Sequence, residues 1–250
     1  MKHVDLSIVI PAFNEAARLP ATLQAICEYA DSVDLCIEVI VVDDGSSDNT
    51  LTIARGFRQT GDRYHVIDAP HRGKAAAVRT GILAARGDII LFTDADLSTP
   101  ITYADSLIRG IEQGADIAIG SREGVGAQRV GEPWHRHVMG RVFNALVRAL
   151  AVPGINDTQC GFKAFRRDVA HDIFRRARLY SGDETVRGPR VTGFDVEILF
   201  LARRAGYRIV EIPVYWQHVS GSKVRPMSDS VRMFVDVLRV RYLALTGRYD

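Results

Sequence analysis

Two carboxylates one residue apart, Asp94 and Asp96 around Ala95, follow the apolar run Ile89-Ile90-Leu91-Phe92. Oxygen donors of this kind suit a hard divalent ion. Mg²⁺ keeps only one or two protein carboxylates and takes its other ligands from water and phosphate. The pair therefore fits Mg²⁺ or Mn²⁺ joining a protein to a diphosphate. The plainer reading is a solvated turn with a helix cap at Ser98 or Thr99. A second acidic pair, Asp43-Asp44, closes another apolar run. Its carboxylates could accept from a ribose hydroxyl or a base N–H, or simply form an Asx turn. Lys74, after Arg72-Gly73, puts a cation and helix N-terminal amides where an anion could sit.

Further cations lie in the second half: Arg122, Arg129, Arg136, Lys163, Lys223 and Arg225. Singly they read as solvated surface. As a set beside a metal site they could receive a phosphate-bearing second substrate. Asp157, Asp195 and Glu197 are candidate bases or structural acids, and the last two could merely cap a helix. The histidines lack metal spacing, His135-x-His137 being a weak exception, and no Ser-His-Asp or Cys-His nucleophile stands out. Neither a Walker loop nor a Gly-x-Gly-x-x-Gly fingerprint occurs.

These residues need elements to hold them. Leu6–Ile10 reads as a strand closed by Pro11, and Asn14-Glu15 as the start of a helix carrying Leu23, Ile26 and Cys27. Strands follow at 37–42, 64–67, 88–93 and 116–119, with helices through Ile53, over 75–85 and after Pro100. Alternation of this kind predicts a mostly parallel sheet flanked by helices, with ligands beyond the carboxyl ends of its strands. Pro11 to Glu15, Asp43-Asp44 and Asp94-Asp96 all fall at such ends. The second half offers a short strand at 161–165, a helix through Phe174, a polar loop over 178–193, a helix over 194–205 and a strand-like 207–216. It also offers two amphipathic helices. The first, 136–150, carries Met139, Val142, Leu146 and Leu150 on one face, with Arg141, Asn144 and Arg148 on another. The second, 228–244, sets Val231, Phe234, Val235 and Leu238 against Arg232, Asp236 and Arg239. Packing of the apolar faces on the sheet is the default, and basic faces near aromatic residues also suit a membrane interface.

The chain has 250 residues, 47% of them hydrophobic and 25% charged, which fits one soluble α/β domain. With 32 basic and 30 acidic residues, overall charge gives no reason to expect nucleic acid. Three cysteines without a framework predict reduced thiols and a cytoplasmic setting. No stretch reaches the roughly 20 apolar residues of a membrane span.

Taken in order, Ile8-Val9-Ile10-Pro11-Ala12-Phe13-Asn14-Glu15, Val41-Val42-Asp43-Asp44-Gly45-Ser46, Gly73-Lys74 and Asp94-Ala95-Asp96 resemble the family 2 inverting glycosyltransferases of GT-A fold. In the second half, Asp157-Thr158-Gln159-Cys160-Gly161-Phe162-Lys163, Gly193-Phe194-Asp195-Val196-Glu197 and Ser220-Gly221-Ser222-Lys223 resemble polyprenyl-phosphate glycosyltransferases. Their wording is nearer to dolichyl-phosphate β-glucosyltransferases than to mannose synthases.

The resemblance implies a single Rossmann-like GT-A domain, with 1–120 as the nucleotide-sugar-binding half. An acceptor-side extension of amphipathic helices would occupy 121–250. It implies that Pro11, Ala12, Phe13, Glu15, Val42, Asp43, Asp44, Lys74, Asp94 and Ala95 hold the donor. Asp94 and Asp96 would hold Mg²⁺ or Mn²⁺, with Asp96 the more direct ligand. Arg122, Lys163, Lys223 and Arg225 would approach acceptor or phosphate. The implied reaction moves glucose from UDP-glucose to a polyprenyl phosphate. Alternatives are GDP-mannose as donor, a soluble saccharide or metabolite as acceptor, and a non-catalytic nucleotide-sugar binder. Two departures stand out: Ser98 occupies the position where mannose synthases often carry Gln, and the opening residues do not read as the N-terminal anchor usual in the glucosyltransferases. Peripheral contact with the cytoplasmic face of a membrane is the corresponding expectation.

Overall fold

The computed structural model describes residues 3–58, 63–131, 134–182, 185–186, 188, 192–219 and 226–249, with backbone only at 58, 134–138 and 226–230. Its centre is β1 (Leu6–Ala12), buried along its whole length. Even-numbered Leu6, Ile8 and Ile10 enter one core cluster, while Val9 enters the other. The two-residue strand period thus sends one segment into both faces of the sheet.

Strand β1 lies parallel between β2 (Ile37–Asp44) and β4 (Ile89–Thr93), with β3 (Tyr64–Ala69) outside β2. Beyond β4 the sheet continues through β7 (Phe162–Arg166), β5 (Ile117–Ser121) and β8 (Ile209–Pro213), in the order β3-β2-β1-β4-β7-β5-β8. Only β7 runs antiparallel to its neighbours. This inversion matters for the site: Phe162 pairs with Thr93, so the chain entering β7 passes beside the acids that follow β4. A separate ribbon pairs β6 (Gln128–Val130) with β9 (Tyr215–Gln217).

Around the large sheet lie α1 (Leu19–Ser32), α2 (Thr50–Arg58), α3 (Lys74–Ala84), α4 (Ala104–Glu112), α5 (Trp134–Leu150), α6 (Arg167–Arg176), α7 (Phe194–Arg204) and α8 (Pro226–Leu245). None of the described helices is long and apolar enough to cross a membrane. The expected mostly parallel α/β sheet is present.

Two local expectations change. Helix α1 begins at Leu19, with Pro20 in its first turn, not at Asn14. Asn14 is left-handed (φ 53°), and its side-chain oxygen accepts from Ser47 N at 2.8 Å, so it fastens the end of β1 to the loop after β2. In α5 and α8 the expected inward faces are turned out. Val142 is 56% and Val231 64% exposed, while Asn144, Val147, Asp236, Val237 and Val240 are buried.

Buried Glu38 fastens the other end of the central strands. It accepts from Ser7 Oγ, Arg86 N and the Arg86 guanidinium. Burial alone would raise its pKa, but these donors bring it below the ordinary carboxylate value. Gly87 donates to Ser7 Oγ at 2.7 Å. A Cβ on Gly87 would lie 2.5 Å from Ser7 N, against backbone that cannot rotate away. Gly87→Ala should therefore destabilise the fold by about 1–3 kcal/mol, as overpacking does. A thermal melt checks this, and an unchanged Tm would contradict so tight an approach.

Candidate active site

The carboxyl ends of β1, β2 and β4 open on one cavity of about 400 Å³. Pro11, Ala12, Phe13, Glu15, Asp44, Lys74, Asp94, Ala95 and Asp96 line it from the first half, as their positions at strand ends predict. Arg122, Gln159, Gly161, Thr192, Asp195 and Trp216 face them from the second half. Val42 and Asp43 do not line it. Val42 is fully buried in the core, and Asp43 turns one oxygen to Ser46 N. Asp43 points to the side of β2 opposite Asp44, and Val42, on the side of Asp44, lies deeper in the core.

The acids after β4 sit in a tight turn. Leu97 N donates to Asp94 O, and Leu97 itself is left-handed (φ 45°), an uncommon state for a side chain of that size. Asp96 accepts from Ser98 N and Ser98 Oγ at 3.0 and 2.9 Å, so Ser98 orients Asp96. Burial raises the Asp96 pKa, and the neighbouring Asp94 charge adds to this. A cation between the two acids would relieve both effects. Lys74, the first residue of α3, already places its ammonium on Asp94 Oδ1. Burial would lower the Lys74 pKa, yet Asp94, Asp195 and Asp96 together raise it. Its charge is therefore secure at neutral pH.

Gly161 explains why the chain entering β7 carries glycine. A Cβ there would lie 2.2 Å from Asp94 Oδ2 and 2.6 Å from its Cγ. Asp94 thus rests directly on backbone. The described residues contain no group of three or more His, Cys, Asp or Glu side chains placed to hold a metal ion. Two carboxylates over an open cavity still fit Mg²⁺ or Mn²⁺, which would draw remaining ligands from water and a diphosphate.

Asp44 lines the cavity and also ties down the turn before α3. It accepts from Arg72 N at 2.8 Å, from Gly73 N at 2.9 Å and pairs with His71 Nδ1 at 2.8 Å. The His71 ring lies flat on Phe13, centroids 4.0 Å apart. His71 carries no motif of its own; its place in His71-Arg72-Gly73-Lys74 was the available signal. Glu15 is paired with Arg18 at 2.6 Å, another cavity residue that the sequence reading passed over.

The second-half cations and acids resolve into pairs. Arg122 donates to Asp157 through Nε and Nη2, and its guanidinium lies 5.5 Å from the Trp216 ring centroid. Burial would raise the Asp157 pKa, but Arg122 holds it far below the carboxylate range. Asp157 is thus locked in a buried pair with Arg122 and does not line the cavity. Arg129 pairs with Glu123, away from the cavity. Lys163, expected to approach a phosphate, is 1% exposed, with its ammonium on Asp195 Oδ1 and Cys160 O. It can reach a ligand only through Asp195.

Glu197 is buried away from the cavity and accepts from Arg178 N, Leu179 N and Tyr249 OH. Burial raises its pKa, and its work is to tie the chain terminus to the loop after α6. Buried Cys160 has its thiol pushed up to about 11 by burial, and Cys27 and Cys36 are also free thiols. Lys223 and Arg225 lie outside the described residues, as does the side chain of Arg136.

A mostly parallel sheet whose strand ends present paired acids, joined by a cavity wall from the second half, defines an α/β glycosyltransferase of GT-A type. The glycosyl transferase family 2 profile matches residues 7–174, and the chain belongs to that family. It is similar to the human dolichyl-phosphate β-glucosyltransferase, 35% identical over 98% of this chain and 77% of the relative. The enzyme of that name from Dictyostelium discoideum is 33% identical over 98% and 76%. Among solved structures, glucosyl-3-phosphoglycerate synthase from Mycobacterium tuberculosis, in complex with Mn²⁺, UDP and glucosyl-3-phosphoglycerate, superposes with TM-score 0.62. Its identity is 20%, over 98% of this chain and 80% of that one. A mannosyltransferase from Pyrobaculum calidifontis in complex with GDP-mannose and Mn²⁺ gives TM-score 0.58 at 20% identity, over 97% and 65%.

Two outcomes test the geometry. Gly161→Ala should displace Asp94 and lower kcat/KM by roughly 100-fold, the scale of a 1 Å misplacement. Activity within twofold of wild type would show that Asp94 has room to move. Asp157→Asn should destabilise by about 3 kcal/mol at neutral pH, because Arg122 loses its buried partner. The Asp157 pKa is lowered on folding, so its contribution is full above the unfolded carboxylate pKa of about 3.9 and fades as pH falls through the folded value. The Tm difference from wild type should shrink in that acid window, and a difference constant with pH would contradict it.

Proposed function

We propose that the protein transfers glucose, with inversion, from UDP-glucose to a polyprenyl phosphate of dolichyl type. Residues 1–120 serve the donor and 121–250 the acceptor. The observation that carries the reading is the state of the second-half acids. Asp157 is tied to Arg122, Glu197 lies away from the cavity, and Asp195, the remaining cavity acid of the three, is tied to Lys163. A hydroxyl acceptor needs a base at the reacting oxygen. A phosphate monoester has its second pKa near 6 and arrives already anionic. The names of the curated relatives agree with that chemistry.

In this reading Phe13, Asp44 with His71, and Glu15 with Arg18 shape the nucleoside end of the cavity. Asp94 and Asp96 hold Mg²⁺ or Mn²⁺, which when bound neutralises charge growing on the departing diphosphate. Lys74 supplies a positive charge at the same place and moves no proton. Arg122 stands across the cavity, where its charge favours an incoming phosphate. The lipid part of the acceptor requires that the enzyme work at a membrane surface, and the cytoplasmic face is the side we propose.

A panel of UDP- and GDP-sugars, each assayed with a short polyprenyl phosphate and with sugar alcohols, tests the reading. UDP-glucose with polyprenyl phosphate should exceed every other pair, and EDTA should abolish turnover. Asp96→Ala should lose at least about 100-fold in kcat, the scale of removing a group that stabilises developing charge. Equal turnover on sugar alcohols would overturn the lipid-phosphate acceptor. Full activity of Asp96→Ala would overturn the placing of the metal.

A further inference from the structure

His71 is held on more sides than a plain cavity wall requires. Each of its ring nitrogens faces an oxygen. Nδ1 stands 2.8 Å from Asp44 Oδ2, and Nε2 stands 3.1 Å from the backbone oxygen of Gly188. A carbonyl oxygen can only accept, so the hydrogen on that side belongs to Nε2. On the other side both Asp44 oxygens already accept backbone N–H groups, Oδ1 from Arg72 and Oδ2 from Gly73, so there too the ring is the donor. A neutral imidazole carries hydrogen on one nitrogen and could make one of these contacts. The imidazolium makes both. The ring also lies flat on Phe13, centroids 4.0 Å apart and planes 2° from parallel, where a cation is attracted to the π face. The side chain is 16% exposed, so water screens these contacts little.

The backbone of His71 takes part as well. Its oxygen accepts from Val186 N at 3.0 Å. Gly45, in the loop after β2, approaches so closely that a Cβ there would stand 2.9 Å from His71 N. One residue thus joins the end of β1, the loop after β2, the turn before α3 and the chain at Val186 and Gly188. That last stretch leads to Thr192, Phe194 and Asp195, which line the same cavity as Phe13, Asp44 and His71. Further on, Asp236 fixes Gly193 and Lys163 fixes Asp195. His71 fixes the part that comes before them.

We propose that His71, held as an imidazolium, is a positioning residue of the donor site: it clamps the chain at Val186 and Gly188 onto the nucleoside end of the cavity. The proposal rests on the reading that a nucleoside diphosphate occupies that end. The charge is what makes the clamp, because a neutral ring keeps Asp44 or Gly188 and releases the other. With both held, the donor meets walls from the two halves of the chain already in place, and binding costs less ordering.

Two measurements on the full chain test this. The first is a long-range ¹H–¹⁵N spectrum of histidine-labelled protein at neutral pH, without metal or nucleotide. His71 is assigned by the signal lost in His71→Gln or His71→Asn. Both of its ring nitrogens should show imidazolium shifts, and a pyridine-type nitrogen would overturn the proposal. The second is calorimetry of UDP binding with Mg²⁺, paired with hydrogen exchange at Val186. His71→Asn keeps an amide in the place of Nδ1, His71→Gln keeps one in the place of Nε2, and neither spans both acceptors. Each should weaken UDP binding roughly tenfold, the scale of one charge-assisted hydrogen bond. Each should also speed exchange at Val186 while the core strands exchange as in wild type. Wild-type affinity and exchange in both variants would overturn the clamp, as would faster exchange throughout the chain. Tighter binding of GDP than UDP, with the same loss in both variants, would remove the UDP reading and leave the clamp standing.

Discussion

Like charge gathered at the ends of parallel strands is the constraint on which this structure depends. Asp94, Asp96 and Asp195 face one cavity and repel one another in a partly desolvated space. Left alone, such a cluster would neutralise by taking up protons. Here it is balanced by position. Lys74 reaches Asp94 because α3 begins at that residue, and Lys163 reaches Asp195 from within the sheet. The balance leaves Asp96 as the acid with a raised pKa and, among the described residues, no basic side chain in contact, held instead by Ser98. Asp94 and Asp96 are the acids that would hold a divalent ion, whose charge would offset the one that Lys74 and Lys163 leave unbalanced.

The inverted strand makes that arrangement possible. A parallel neighbour would bring to this edge the loop that follows it, whereas the antiparallel β7 brings the segment that precedes it. Strand β7 instead arrives from the ligand side, with Gly161 against the Asp94 carboxylate and Lys163 two residues further, pointing into the core. The run from Asp157 to Lys163 thereby performs three tasks: fixing Arg122, giving Asp94 a floor and holding Asp195. None of these requires contact with a substrate. A motif that reads like a binding signature therefore works mostly by positioning.

The first half was legible in the sequence because its signals are local. Buried strands are continuous apolar runs, and their ligand-facing ends are marked by Pro11, Asp44 and Asp94. The cavity contains each of these residues where the pattern puts it. What was not legible is which partner each polar group takes. Asp44 ends a strand in sequence, but only the fold shows its oxygens spent on His71, Arg72 and Gly73. Asp157 and Arg122 are 35 residues apart, and nothing in either segment announces their pairing.

The same limit explains the two amphipathic helices. Hydrophobic periodicity identifies a helix with an apolar stripe, but it cannot say which way the stripe faces when small or branched residues also line the other side. Val147, Val237 and Val240 enter the core, Asn144 accepts from Thr158, and one oxygen of Asp236 accepts from Tyr180 and Gly193. The inward side therefore tolerates polar residues that find partners there, and the more apolar side faces outward.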